Sequence, residues 1–177
     1  MSDTNYYDIE HYFVDRKQDC LAFLGRAAKN GKRAVYAKYG QKRGQQLLEQ
    51  VKAEYENLLP QIPYVGETAV WKQQMLLTVL FAAFYRVLKE QESIDKIWML
   101  CRNFNRESLL GMPRLVRWFL KQSTFSNRTK KSYKTLAEEH KQKNLADQWD
   151  FVEDDGNTFD YGMNMTRCAK LIFLQKI

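Results

Sequence analysis

The chain has 177 residues, a formal charge of +7, 45% hydrophobic and 14% aromatic residues, and only 3 prolines and 8 glycines. A chain of this length buries about 70% of its unfolded surface in one domain, and so apolar a composition excludes disorder over most of it. Scarce proline and glycine exclude a many-turned all-β design, and the positive charge permits an anionic partner without demanding one.

Met1 to Asn5 is polar and acidic, with neither the basic start nor the apolar run of a signal peptide. From Tyr6 to Tyr39 the pattern is helical: Ile9, Phe13, Cys20, Phe23, Leu24 and Ala27 fall mostly at three- and four-residue steps. Asn30-Gly31 is a place to end or kink this helix, and Tyr39-Gly40 a clearer end. Arg43 to Leu59 is a second amphipathic stretch, stopped by Pro60. The segment Pro60-Gln61-Ile62-Pro63-Tyr64-Val65-Gly66 reads as an extended loop, which either packs against a site or covers a core.

Thr68 is placed to cap a helix running to about Gln91, with Trp71, Met75, Val79, Ala82 and Phe84 making it a central, nearly all-round buried element. Its longest apolar run, Met75 to Tyr85, is shorter than the roughly 20 residues needed to cross a bilayer. A soluble, cytoplasmic chain is expected. Ser93 caps the next helix, with Asp95 in its first turn, and Gly111-Met112-Pro113 breaks the pattern. Arg114 to Lys143 is strongly basic, with Glu138 and Glu139 its only acids.

After Asp147 the texture becomes that of strands. Trp149 to Glu153 and Thr158 to Met163 flank Asp154-Asp155-Gly156-Asn157, a hairpin signature. Phe159, Tyr161 and Met163 share one face of the second strand and Asp160 takes the other. Thr166 is a candidate N-cap for a final short helix containing Cys168, Leu171, Ile172 and Leu174. The expected fold is α+β in a single domain, residues 1–177: a helical body to residue 146, then a small antiparallel β-hairpin and a short C-terminal helix over 147–177.

Cys20, Cys101 and Cys168 are odd in number and far apart, and neither His11 nor His140 stands near a cysteine at ligand spacing. Reduced thiols are expected, with no metal and no disulfide framework. The chain also lacks a phosphate loop, a nucleotide fingerprint and the HExxH and GxSxG patterns, so no cofactor is expected.

The run Phe151-Val152-Glu153-Asp154-Asp155-Gly156, then Phe159-Asp160-Tyr161-Gly162 and Thr166-Arg167-Cys168, resembles the L-2-amino-thiazoline-4-carboxylic acid hydrolase family. The Pro60–Gly66 loop is similar to that family's loop between two N-terminal helices. Members of the family continue through a further helical stretch and a final strand, so the resemblance implies a fragment or a C-terminally truncated relative.

The resemblance implies a small-molecule substrate, a cyclic amidine bearing a carboxylate, and hydrolysis of its C–N bond. Such a site needs a carboxylate for the amidinium, a cation for the substrate carboxylate, and a nucleophile. The candidates are Cys168 as nucleophile, Asp160 as base or amidinium anchor, Glu153 as second carboxylate and Arg167 as carboxylate anchor, with Tyr161 and Tyr64 as further binding residues. Each has a plainer reading: a small packed cysteine, a turn aspartate, a solvated arginine.

Two other classes stay open. One is an inactive relative that associates through an unpaired hairpin edge. The other is a basic helical module in which Trp118, Phe125 and Tyr133 punctuate the 114–143 cations along a nucleic acid. Nucleic acid is the less expected partner, since no reader motif accompanies the charge, and a homo-oligomer is left open.

Overall fold

The computed structural model describes residues 11–118, 127–153 and 161–177. Helices α1 (Tyr12–Asp15), α2 (Lys17–Tyr39), α3 (Gln41–Leu58), α4 (Ala69–Leu88) and α5 (Ile94–Leu110) precede α6 (Asn127–Gln142). Strands β1 (Gln148–Glu153) and β2 (Tyr161–Arg167) follow, then α7 (Ala169–Leu174). The architecture is the expected α+β: a helical body, one two-stranded antiparallel sheet, and a short last helix. Among the described residues no helix is long and apolar enough to cross a membrane.

Helix α2 runs through Asn30-Gly31 without ending there. A Cβ on Gly31 would lie 2.7 Å from the Phe104 ring of α5, so this glycine lets two helices approach rather than stopping one. The chain turns at Gly40, whose φ of 75° suits glycine and whose amide is bonded 2.9 Å from the Tyr36 carbonyl. Pro60 does not end the helical path at once either. It sits at the start of a 3-10 turn, Leu59–Gln61, where its missing N–H is harmless, and the extended loop begins at Ile62.

Thr68 and Ser93 occupy the expected N-cap positions with extended backbone, but neither side chain makes a capping bond. Helix α4 ends at Leu88, short of Gln91. It touches α2, α3, α5 and α7, and Trp71, Met75, Val79, Leu80 and Phe84 are buried along it. One core of apolar side chains runs from Tyr12 through α2–α5 to Trp149 and Phe173.

In the sheet, Trp149 pairs with Met165 and Gln148 with Arg167, which leaves Thr166 as the extra residue of a bulge. Thr166 is therefore part of β2, and the N-cap position of α7 belongs to Cys168. The expected strand start at Thr158 and the turn at Asp154–Asn157 lie outside the described residues.

Two glycines of α2 make opposite predictions. Nothing lies within 4 Å of a Cβ placed on Gly25, so Gly25→Ala should stabilise by about 0.5–1 kcal/mol through helix propensity. Gly31→Ala gains the same propensity but drives a methyl into Phe104, and overpacking of about 1–3 kcal/mol should win. Urea denaturation of both variants checks this; equal midpoints would contradict the packing of α2 on α5.

Candidate functional site

The base of the hairpin is organised by Asp147, a buried residue one position before β1. Its carboxylate Oδ1 accepts the Ala169 amide at 2.7 Å, capping α7 from a distant part of the chain. Its main-chain oxygen lies 2.9 Å from His140 Nδ1 of α6. A carbonyl oxygen only accepts, so Nδ1 carries the proton. Burial pushes the Asp147 carboxyl above its ordinary range, while the Ala169 amide and the Lys170 charge pull the other way without overcoming it.

His140 is enclosed by aromatic rings. Trp149 lies 4.7 Å from it and 4.7 Å from Trp71, and Tyr133 meets Trp71 edge-on at 6.5 Å. Trp71 Nε1, Trp149 Nε1 and His140 Nε2 are buried with no hydrogen-bond partner among the described residues. Each such atom costs about 1–3 kcal/mol. Burying a tryptophan removes on the order of 150–250 Å² from water, worth about 4–6 kcal/mol, so ring packing outweighs the unpaired nitrogens. The cluster fastens α4, α6 and β1 together. A Cβ on Gly66 (φ 83°) would lie 3.0 Å from Leu145 Cδ1 and 3.5 Å from His140 Nε2, which brings the proline-bracketed loop against the same cluster.

The candidates named from sequence divide around this centre. Cys168, partly exposed, sits at the N-cap of α7 between Arg167 and Ala169. Burial raises Cys20 to about 11 and Cys101 to about 12, so those two thiols are inert at neutral pH. Arg167 turns back over the hairpin base and donates to Asn144 Oδ1 at 2.8 Å and the Leu145 carbonyl at 3.4 Å. Glu153 and Tyr161 are cross-strand partners at the far end of the described sheet. Asp160 lies outside the described residues.

Tyr64 belongs to a separate polar cluster. Its hydroxyl donates to Glu67 Oε1 at 3.1 Å, and Tyr12 donates to Glu67 Oε2 at 2.8 Å. Lys72 Nζ donates to the Tyr12 hydroxyl at 3.0 Å and to Glu67 at 3.1 Å, while the Arg16 guanidinium stacks 4.0 Å over the Tyr12 ring. The Tyr12 bond, with those from Lys72 and Tyr64, holds the Glu67 carboxyl below its ordinary range despite some desolvation. Desolvation opposes the Lys72 ammonium, and the bonds to Tyr12 and Glu67 outweigh it, so that group is held above its ordinary range. The loop therefore covers the core through Val65 and pins α1 to α4 through Glu67, which Tyr64 supports.

Asp147, His140 and Trp71 are the site residues that sequence reasoning passed over. The signal for His140 was its spacing with Tyr133, Leu136 and Ala137 on one face of α6. Nothing local marked Asp147, because its partner amide is 22 residues away. Among the described residues no group of His, Cys, Asp and Glu side chains is placed to hold a metal ion.

The raised Asp147 carboxyl has a testable consequence. Between the unfolded and folded carboxyl values the folded chain binds more protons, so stability falls as pH rises through that window. Asp147→Asn keeps an acceptor for Ala169 and removes the titration, so its stability should fall less steeply as pH rises above the unfolded carboxyl value. Asp147→Ala strands the buried amide and should lose about 1–3 kcal/mol at every pH. Urea melts across the pH range decide, and parallel slopes for wild type and the Asn variant would refute the assignment.

Compared with protein-family models, with curated proteins and with solved structures, the chain matches none.

Proposed function

We propose that the chain is a hydrolase-like protein acting on the C–N bond of a small cyclic amidine that bears a carboxylate, of the kind represented by 2-amino-thiazoline-4-carboxylate. The observation that carries the reading is the position of Cys168. Of the three thiols it alone is not buried, and it lies at the opening of α7 with Arg167 before it and Lys170 two residues on. The resemblance of the 151–168 segment to the amino-thiazoline-carboxylate hydrolases supports the same chemistry. In this reading Cys168 is the nucleophile and Arg167 anchors the substrate carboxylate at the hairpin base. Asp160 and Glu153 as carboxylates for the amidinium and Tyr161 as a binding residue rest on the resemblance alone, Glu153 and Tyr161 standing at the other end of the sheet from Arg167. Tyr64 is then a support of the loop rather than a substrate contact, because Glu67 already holds its hydroxyl.

A second reading, a non-catalytic relative, is favoured by two contacts. The Arg167 guanidinium is engaged by Asn144 and Leu145. Cys168 also has no hydrogen-bonded base among the described residues, whereas an activated nucleophile needs one within reach.

Incubation of purified protein with 2-amino-thiazoline-4-carboxylate, followed by product mass, separates the two. The hydrolase reading expects ring-opened product from the wild type and none from Cys168→Ala at unchanged circular dichroism. Product at wild-type rate from Cys168→Ala would remove the nucleophile. Absence of product from well-folded wild type would select the non-catalytic relative.

A further inference from the structure

Helix α5 is apolar on two sides, whereas a helix at the surface of a globular body needs only one. Its inner side buries Ile97, Leu100, Cys101 and Phe104 against the body. Its outer side exposes Ile94, Trp98, Met99, Leu109 and Leu110, with Trp98 62% accessible. The helical turn that follows, at 114–118, adds Leu115 at 71% and Trp118 at 56%, together with Val116. Scattered exposed apolar residues are ordinary, but a concentration on one face marks an interaction surface.

The charges on this stretch are mainly positive, with Asp95 in the first turn of α5 and Glu107 near its end as the acids. Arg102 and Arg106 stand midway along the outer side of α5, and Arg114 and Arg117 follow on the next turn. None of the four makes an ion pair among the described residues, and the only acid between Trp98 and Trp118 is Glu107. A depression of about 580 Å³ is lined by Met99, Arg102, Asn103, Arg106, Leu109 and Leu110, so cations and aliphatic side chains share one concavity.

We propose that this outer face of α5, continued by the 114–118 turn, docks on an anionic lipid surface. The aliphatic and tryptophan side chains enter the boundary between headgroups and acyl chains, while the arginines meet phosphate and carboxylate headgroups. Such a helix lies on the membrane and does not span it, so the absence of a spanning helix among the described residues is no obstacle. A second copy of the chain fits the face less well, because a two-fold pairing of this patch sets arginine against arginine. A nucleic acid would answer the arginines but offers nothing apolar to Ile94, Leu109, Leu110 and Leu115.

Co-sedimentation of the full chain with lipid vesicles tests the proposal. Vesicles of phosphatidylcholine with one-third phosphatidylserine should retain the protein, with a blue shift in tryptophan emission, and phosphatidylcholine alone should not. Rising salt should weaken retention. The pair Arg102→Gln and Arg106→Gln should reduce partitioning by about tenfold or more, and the pair Trp98→Ala and Leu110→Ala should remove the blue shift. The pair Lys42→Gln and Lys52→Gln, which removes the same charge from exposed positions of α3, should leave partitioning unchanged. Three results would overturn the proposal: no retention by anionic vesicles at low salt, an equal loss in the α3 pair, or self-association or RNA binding through these residues without lipid binding. Circular dichroism of each variant excludes unfolding as the cause.

Discussion

The carboxylate of Asp147 and its own main-chain oxygen hold the last helix and the base of the hairpin to α6. The first caps α7 at Ala169 and the second accepts a hydrogen bond from His140 Nδ1–H of α6. A hairpin alone is marginal in water, and a helix as short as Ala169–Leu174 does not hold itself together. Both persist here because a buried acid ties them to a longer helix and because Trp149 inserts between Trp71 and His140. The carboxylate tolerates burial through its bond to an otherwise unpaired helix amide, and the raised proton affinity is the residue of a desolvation not fully offset.

The same economy of close approach governs the helical body. Gly31 lets Phe104 lie on α2, and Gly66 lets the loop pass beside Leu145 and His140. These two glycines are contact surfaces as much as conformational devices, whereas Gly40 serves the turn between α2 and α3 alone. The loop from Ile62 to Glu67 then joins two otherwise separate features, the Tyr12–Tyr64–Glu67–Lys72 cluster on one side and the aromatic centre around His140 on the other.

This arrangement divides the chemistry of the chain. The hairpin base holds the one partly exposed thiol beside an arginine, and the loop cluster spends its tyrosine hydroxyls on a glutamate that joins α1 to α4. Helix α5, turned away with a second apolar side and four arginines in and after it, shares no residue with either. A small-molecule site and a surface for association can therefore occupy different elements of one body.

Periodicity made helices α2 to α5 and the buried character of α4 legible, and the Asp-Gly turn signal added the hairpin after Asp147, whereas the break at Arg16 that separates α1 from α2 carried no local mark. Gly40 as a stop was also legible, being a local backbone requirement. The meaning of Gly31, the place of Thr166 in a bulge and the cap of α7 were decided by tertiary structure. Gly31 faces a ring on another helix, Thr166 answers a shift in strand register, and the carboxylate that caps α7 comes from 22 residues away. The candidate residues were legible by type, but their company was not. Arg167 donates to Asn144 and Leu145, and Tyr64 donates to Glu67, partners that no local spacing announced. Sequence spacing carries only the contacts that local geometry enforces, and these were made by folding distant segments together.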